Sequence, residues 1–185
     1  MVSFVIIMKI TIMIKKKVFY LDFSLLFNMQ RELDAYIESR HGLEGENLLR
    51  RKLLAFHVEL AELANETRCF KFWSEKEPSE DKVILEEYVD GIHFMLSIGL
   101  ELNLDNEIMN YPRGEKQFGK NLVPFFEEVM NAVTRLQYDG GRMEYLNLCL
   151  AYLNLGCALG FSSEQIMEAY MKKNSVNYDR QNDGY

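Results

Sequence analysis

The sequence predicts an all-α protein, a bundle of about six helices. Three observations carry that prediction. Apolar residues recur at three- and four-residue intervals in one segment after another. Only 3 prolines occur in 185 residues, so long helices go uninterrupted, and Leu, Glu, Ala, Met and Lys favour helix. The breaks between periodic segments are marked by glycine, proline and polar clusters.

The elements follow in order. Phe23 to Ser39 carries Leu26, Met29, Leu33, Tyr36 and Ile37 at helical intervals, and Gly42 and Gly45 end it. Asn47 to about Phe70 is a second, long helix. Lys71 to Asp81 is a polar connection around Phe72, Trp73 and Pro78, and Pro78-Ser79-Glu80-Asp81 opens the third helix, Lys82 to Leu102. Asn103 to Lys116, with Pro112 and Gly114, reads as a surface loop. Asn121 to Tyr138 and Arg142 to Leu159 are the fourth and fifth helices, separated by Asp139-Gly140-Gly141. Gly160-Phe161-Ser162-Ser163-Glu164 reads as a helix end followed by a new N-cap. The sixth helix runs from Ser163 to about Asn174, and Ser175 to Tyr185 is a polar tail.

Residues 22–185 form one domain, with neither repeats nor a second core. Met1 to Ile14 are almost all apolar and precede Lys15-Lys16-Lys17. That run is too short to span a bilayer, and its charge lies on the wrong side for a secretory signal. Residues 1–21 are expected to be an extension outside the domain.

The net charge of −7 and pI near 5.1 argue against a protein that binds nucleic acid by neutralising phosphates. An anionic small substrate remains compatible, because a bound divalent ion reverses the local sign of charge. Three cysteines, Cys69, Cys149 and Cys157, have no zinc-type spacing and suit a reducing cytoplasm as free thiols.

Two acidic pairs interrupt otherwise apolar helices: Glu59-Leu-Ala-Glu62 and Glu87-Tyr-Val-Asp90. An i,i+3 spacing puts both members of a pair on one helix face. In the second helix Leu53, Phe56, Leu60, Leu63 and Ala64 form an apolar arc, with Glu59, Glu62 and Glu66 roughly opposite, within about 60° of one another. In the third, Leu85, Tyr88, Val89, Ile92 and Leu96 form the arc, with Glu87 and Asp90 opposite. A solvated face would mix lysine and arginine among the acids for i,i+4 pairing, and neither stripe contains a basic residue. Acids on facing buried surfaces repel unless a cation joins them. The pattern favours a four-helix, metal-binding core over a solvated face. Neither acidic stripe carries a Glu-x-x-His pair, and His93 and His57 project away from the acidic faces. An all-carboxylate set suits Mg²⁺, with Mn²⁺ as an alternative.

With these residues in place, the sequence resembles the dimeric all-α dUTPases, within the all-α nucleotide pyrophosphohydrolases related to MazG. The resemblance runs through Leu25-Leu-Phe-Asn-Met-Gln30-Arg-Glu-Leu-Asp34, both acidic pairs, Phe70-Lys-Phe-Trp73-Ser, and Lys173-Asn174-Ser-Val-Asn177-Tyr-Asp-Arg180-Gln181. It covers about residues 22–185. It implies hydrolysis of dUTP to dUMP and diphosphate, Mg²⁺ as cofactor, a homodimer, and exclusion of uracil from DNA. Glu59, Glu62, Glu87 and Asp90 would hold the metal. Glu62, and after it Glu59, would orient the attacking water or take its proton. Glu66 is either a supporting partner of that group or a surface acid.

Gln30 would meet the uracil edge, as a glutamine at this place does in the family, and Trp73 would wall the pyrimidine ring or be an ordinary core aromatic. Lys71, Lys173 and Arg180 would pair with phosphate oxygens, Asn174 and Asn177 would bind sugar and phosphates, and the tail would close over substrate. His93 is expected to be structural, and the methionines core filler. The nearest rival substrates are dCTP or a broad set of nucleoside triphosphates. A non-catalytic interaction bundle, or a structural bundle with solvated acids, would be readings of a different class.

Overall fold

The computed structural model describes residues 21–106 and 121–184. Within them are six helices: α1 (Phe23–His41), α2 (Leu49–Thr67), α3 (Asp81–Glu101), α4 (Val123–Asp139), α5 (Arg142–Ala158) and α6 (Ser163–Asn182). No strand occurs among the described residues, and the all-α expectation holds. The expected N-terminal extension lies outside the described residues except for Leu21, which is buried in the core. Most of the loop expected between the third and fourth helices also lies outside them.

The helix ends follow local chemistry. Asp22 caps α1, its Oδ1 accepting from the Leu25 N–H at 3.1 Å. α2 stops at Thr67 because Arg68 turns left-handed (φ 55°) while its N–H donates to the Ala64 carbonyl. Gly140 and Gly141, at φ 66° and 99°, make the tight α4–α5 turn that residues with a Cβ rarely adopt. Ser162 caps α6 in a reciprocal capping box with Gln165.

One boundary needs correction. The sixth helix does not end near Asn174 but runs on to Asn182. Polar side chains in Ser175–Asn182 find partners on α1: the Tyr36 hydroxyl donates to Asn182 Oδ1 at 2.5 Å, His41 Nε2 and Gln181 Oε1 lie 2.8 Å apart, and the Tyr36 and Tyr178 rings are 5.2 Å apart. The segment expected to be a loose closing tail is a helix docked along α1.

α3 is the hub, packed against α1, α2, α5 and α6. Residues 91–93 and 95–99 of α3 are all buried. Its seam with α5 is made of tyrosines set into glycine notches. The Tyr152 hydroxyl donates to the Tyr88 carbonyl (2.8 Å), and Tyr88 returns the bond to the Tyr152 carbonyl (3.2 Å). A Cβ at Gly91 would overlap the Tyr152 hydroxyl, and one at Gly156 would overlap that of Tyr88. Tyr145 repeats the arrangement at Gly99, its hydroxyl donating to the Met95 carbonyl at 3.1 Å. These buried hydroxyls are thus all bonded, as low-polarity surroundings demand. The other faces of α3 are left to meet α1, α2 and α6, where the charged residues gather.

Candidate active site

α2 and α3 pack side by side, and that contact brings the acidic stripes together. Carboxylate oxygens of Glu59, Glu87 and Asp90 lie within 4.8 Å of one another, and all three residues are half-buried. Oxygen ligands of one hard cation take such a spacing. Glu62, one turn further along α2, is exposed and stands outside this trio. It is still near enough for its charge to act on Glu59 and Glu87.

The electrostatics of the trio are those of unmet negative charge. Burial, then the charges of Asp90, Glu62 and Glu87, pushes the Glu59 carboxyl up to about 7. Glu87 is raised by burial and then by Asp90 and Glu62. Burial also raises Asp90, although its bond from Lys173 opposes that. Lys173, on α6, donates to Asp90 Oδ2 at 2.6 Å and to Glu86 at 3.4 Å. Burial works to lower the Lys173 ammonium, but its bond to Asp90 and the nearby acids outweigh it and hold it above the usual lysine value.

A cavity of about 320 Å³ opens beside the trio. Glu59, Asp90 and Lys173 line one part of it, and Gln30, Asn177 and Arg180 are also among its walls. Asn174 is buried on the same helix, and its Nδ2 has no protein partner among the described residues. Six sequence-predicted residues therefore meet at one cavity, drawn from α1, α2, α3 and α6.

Trp73 and Lys71 are not among those walls. Both sit in the α2–α3 connection, which is tied down from two sides. The Arg68 guanidinium donates to the Lys76 carbonyl (3.0 Å) and Ser74 Oγ (2.6 Å). Glu66 accepts from the Ser79 hydroxyl, so it anchors this loop. Trp73 is 64% exposed and meets Phe70 and Phe72 edge to face, while Lys71 Nζ lies 5.4 Å from the Phe70 ring centre.

Sequence reasoning missed the group behind Gln30. Asp34 and Ser97 line the cavity with it, and His93 Nδ1 is 2.8 Å from Gln30 Oε1. Burial, then the charge of Lys173, pushes His93 down to about 3, so the ring is neutral. It stacks on Tyr170 with ring centres 4.1 Å apart. The available signal was the Gln30…Asp34 spacing of four, at which such side chains pair on a helix.

A family model described as dUTPase matches residues 22–185. No curated protein matches the chain. Members of the matched family generally use a divalent metal, and an all-oxygen trio short of positive charge fits that requirement. Among the described residues no single helix is long and apolar enough to cross a membrane. The match extends over all six helices and the whole cavity: the chain belongs to the all-α dUTPase family, and its activity is that of a dUTP diphosphatase, hydrolysing dUTP to dUMP and diphosphate.

Proposed function

We propose that Glu59, Glu87 and Asp90 hold Mg²⁺, for which Mn²⁺ can substitute, and that dUTP lies with its phosphates at this trio and its base toward Gln30. The observation that carries the reading is the sharing of one cavity by Glu59, Asp90 and Gln30. A bound divalent ion would neutralise charge on the phosphate oxygens and acidify water at neutral pH.

The chain's own residues do the rest. Glu62, exposed and outside the trio, orients the attacking water and takes its proton. Glu59 belongs to the ligand set and is the second choice for that role. Lys173 exchanges Asp90 for a phosphate oxygen when substrate and metal arrive, and Arg180 adds a forked donor on the same wall. Asn174 and Asn177 serve sugar and phosphates. Lys71 and Trp73 approach from the α2–α3 connection, Trp73 supplying a flat wall for the pyrimidine. Exposed Leu54, Val58, Met130, Tyr138 and Met143 support a homodimer as the working unit. The enzyme works in the cytoplasm on a free nucleotide, with neither a membrane nor a nucleic acid as partner.

A panel of the four dNTPs and dUTP, run with and without Mg²⁺ and read by diphosphate release, tests the reading. Turnover should be greatest with dUTP and should require the ion. A preference for dCTP, or full turnover in the presence of a chelator, would overturn it.

A further inference from the structure

Gln30 is buried and almost fully engaged. Its Oε1 accepts from the Tyr170 hydroxyl at 2.8 Å and from His93 Nδ1 at 2.8 Å. Its Nε2 gives one hydrogen to Asp34 Oδ1 at 2.7 Å. Asp34 Oδ2 in turn accepts from Ser97 and from Lys52 Nζ, the latter at 3.1 Å.

The amide has two orientations, and only one neighbour chooses between them. Were Gln30 turned over, its Nε2 would face Tyr170 and His93. Tyr170 can redirect its hydrogen to the Leu26 carbonyl, 3.4 Å away. The neutral His93 can move its proton to the other ring nitrogen and accept. Asp34 has no such freedom. Its carboxylate has no hydrogen to give, so a turned Gln30 would set two acceptor oxygens against each other. Lys52 and Ser97 hold that carboxylate in place.

In the orientation so fixed, the Gln30 oxygen has both its lone pairs occupied. What remains without a partner among the described residues is the second N–H of its amide. The group offered to the cavity is a donor. A 4-oxo pyrimidine presents an acceptor there. A 4-amino pyrimidine presents hydrogens, leaving two donors face to face in a buried place, which is strongly rejected.

We infer that Asp34 is a positioning residue for specificity: by holding the Gln30 amide nitrogen toward itself, it commits the site to a pyrimidine carbonyl and against an amino group. This rests on the reading that Gln30 meets the base. The device sorts on the substituent at C4 and is blind to a methyl group at C5.

The test measures kcat/KM of the full-length enzyme with Mg²⁺ for dUTP, dCTP and dTTP, in the native sequence, Asp34→Asn and Gln30→Ala. The amide introduced by Asp34→Asn can donate to a turned Gln30 oxygen, so Gln30 gains its second orientation. The dUTP/dCTP ratio should fall about tenfold or more in Asp34→Asn, with the dUTP/dTTP ratio retained. An equal loss on all three substrates, or an unchanged dUTP/dCTP ratio, overturns the proposal. If Gln30→Ala leaves the dUTP/dCTP ratio intact, the placement of the base against Gln30 fails first. If Gln30→Ala collapses the ratio and Asp34→Asn does not, only the positioning role fails. Should Asp34→Asn be unfolded at the assay temperature, Tyr170→Phe decides. Because Asp34 alone fixes the amide, removing the adaptable Tyr170 hydroxyl should leave the dUTP/dCTP ratio unchanged, and a collapse of the ratio would overturn the proposal.

Discussion

Two places in this bundle set three carboxylates against one lysine. At the first, Lys52 Nζ lies 2.7 Å from Glu101, 3.1 Å from Asp34 and 3.4 Å from Glu38, so a single ammonium, itself little exposed, reaches every acid. At the second, Lys173 reaches Asp90 and the outlying Glu86, but it is not bonded to Glu59 or Glu87. One lysine stands in each place, and the geometry differs. Around Lys52, burial works to lower the ammonium, but Asp34 and Glu101 outweigh it and hold it above the usual lysine value. Around Glu59 the acids carry the strain, raised by burial and by one another. A completed cluster joins α1, α2 and α3 as structure. An incomplete one, between α2 and α3, leaves carboxylates that their one bonded lysine does not join.

Substitutions can break or sharpen that contrast. The largest effect is expected at the incomplete cluster. Glu62→Gln should cut turnover by about 10²–10⁴-fold while leaving the folded state and Mg²⁺-induced thermal stabilisation intact. Glu59→Gln should lose both turnover and that stabilisation. Native turnover in Glu62→Gln would end its assigned role.

A smaller effect, on stability, is expected at the completed cluster. Lys52→Met strands three partly buried carboxylates and should cost about 3 kcal/mol in urea unfolding. A cost below about 1 kcal/mol would erase the distinction between the two clusters.

The smallest effect is a pH dependence. Glu59 has a folded-state value of about 7 against an ordinary 4.5. Its contribution to stability is therefore fully present below about pH 4.5 and is lost as the pH rises through about 7. Without metal, the thermal midpoint of the native chain minus that of Glu59→Gln should decline across this window. A rising difference would reverse the sign and refute the crowding of the trio.

How much of this was legible from sequence depended on range. The first five helices were readable because each is periodic and bounded by Gly or polar breaks. The second half of α6 was not, because its polar residues look solvated until Tyr36 and His41 on α1 are placed beside them. The i,i+3 pairs disclosed Glu59, Glu87 and Asp90. They also promised an equal place for Glu62, which the α2–α3 packing leaves outside the trio. Lys52 gave no signal, since its partners lie 14, 18 and 49 residues away in the chain. Gln30 was nominated from a family resemblance. Its amide is oriented by Asp34, whose carboxylate Ser97 and Lys52 hold from 63 and 18 positions away.

The tyrosine–glycine seam has a consequence for the carboxylate trio. Tyr88 and Tyr152 each occupy the notch of the opposite helix, so α3 and α5 are indexed to a single axial setting. Sliding by one turn would drive both hydroxyls into side chains. Asp90 immediately precedes the notch residue Gly91 and inherits that setting. Its height along the bundle is thus fixed by Tyr88 and Gly91, residues of α3 that do not line the cavity. Cavity residues can be exchanged for other pyrimidines while the ruler that places Asp90 stays in position.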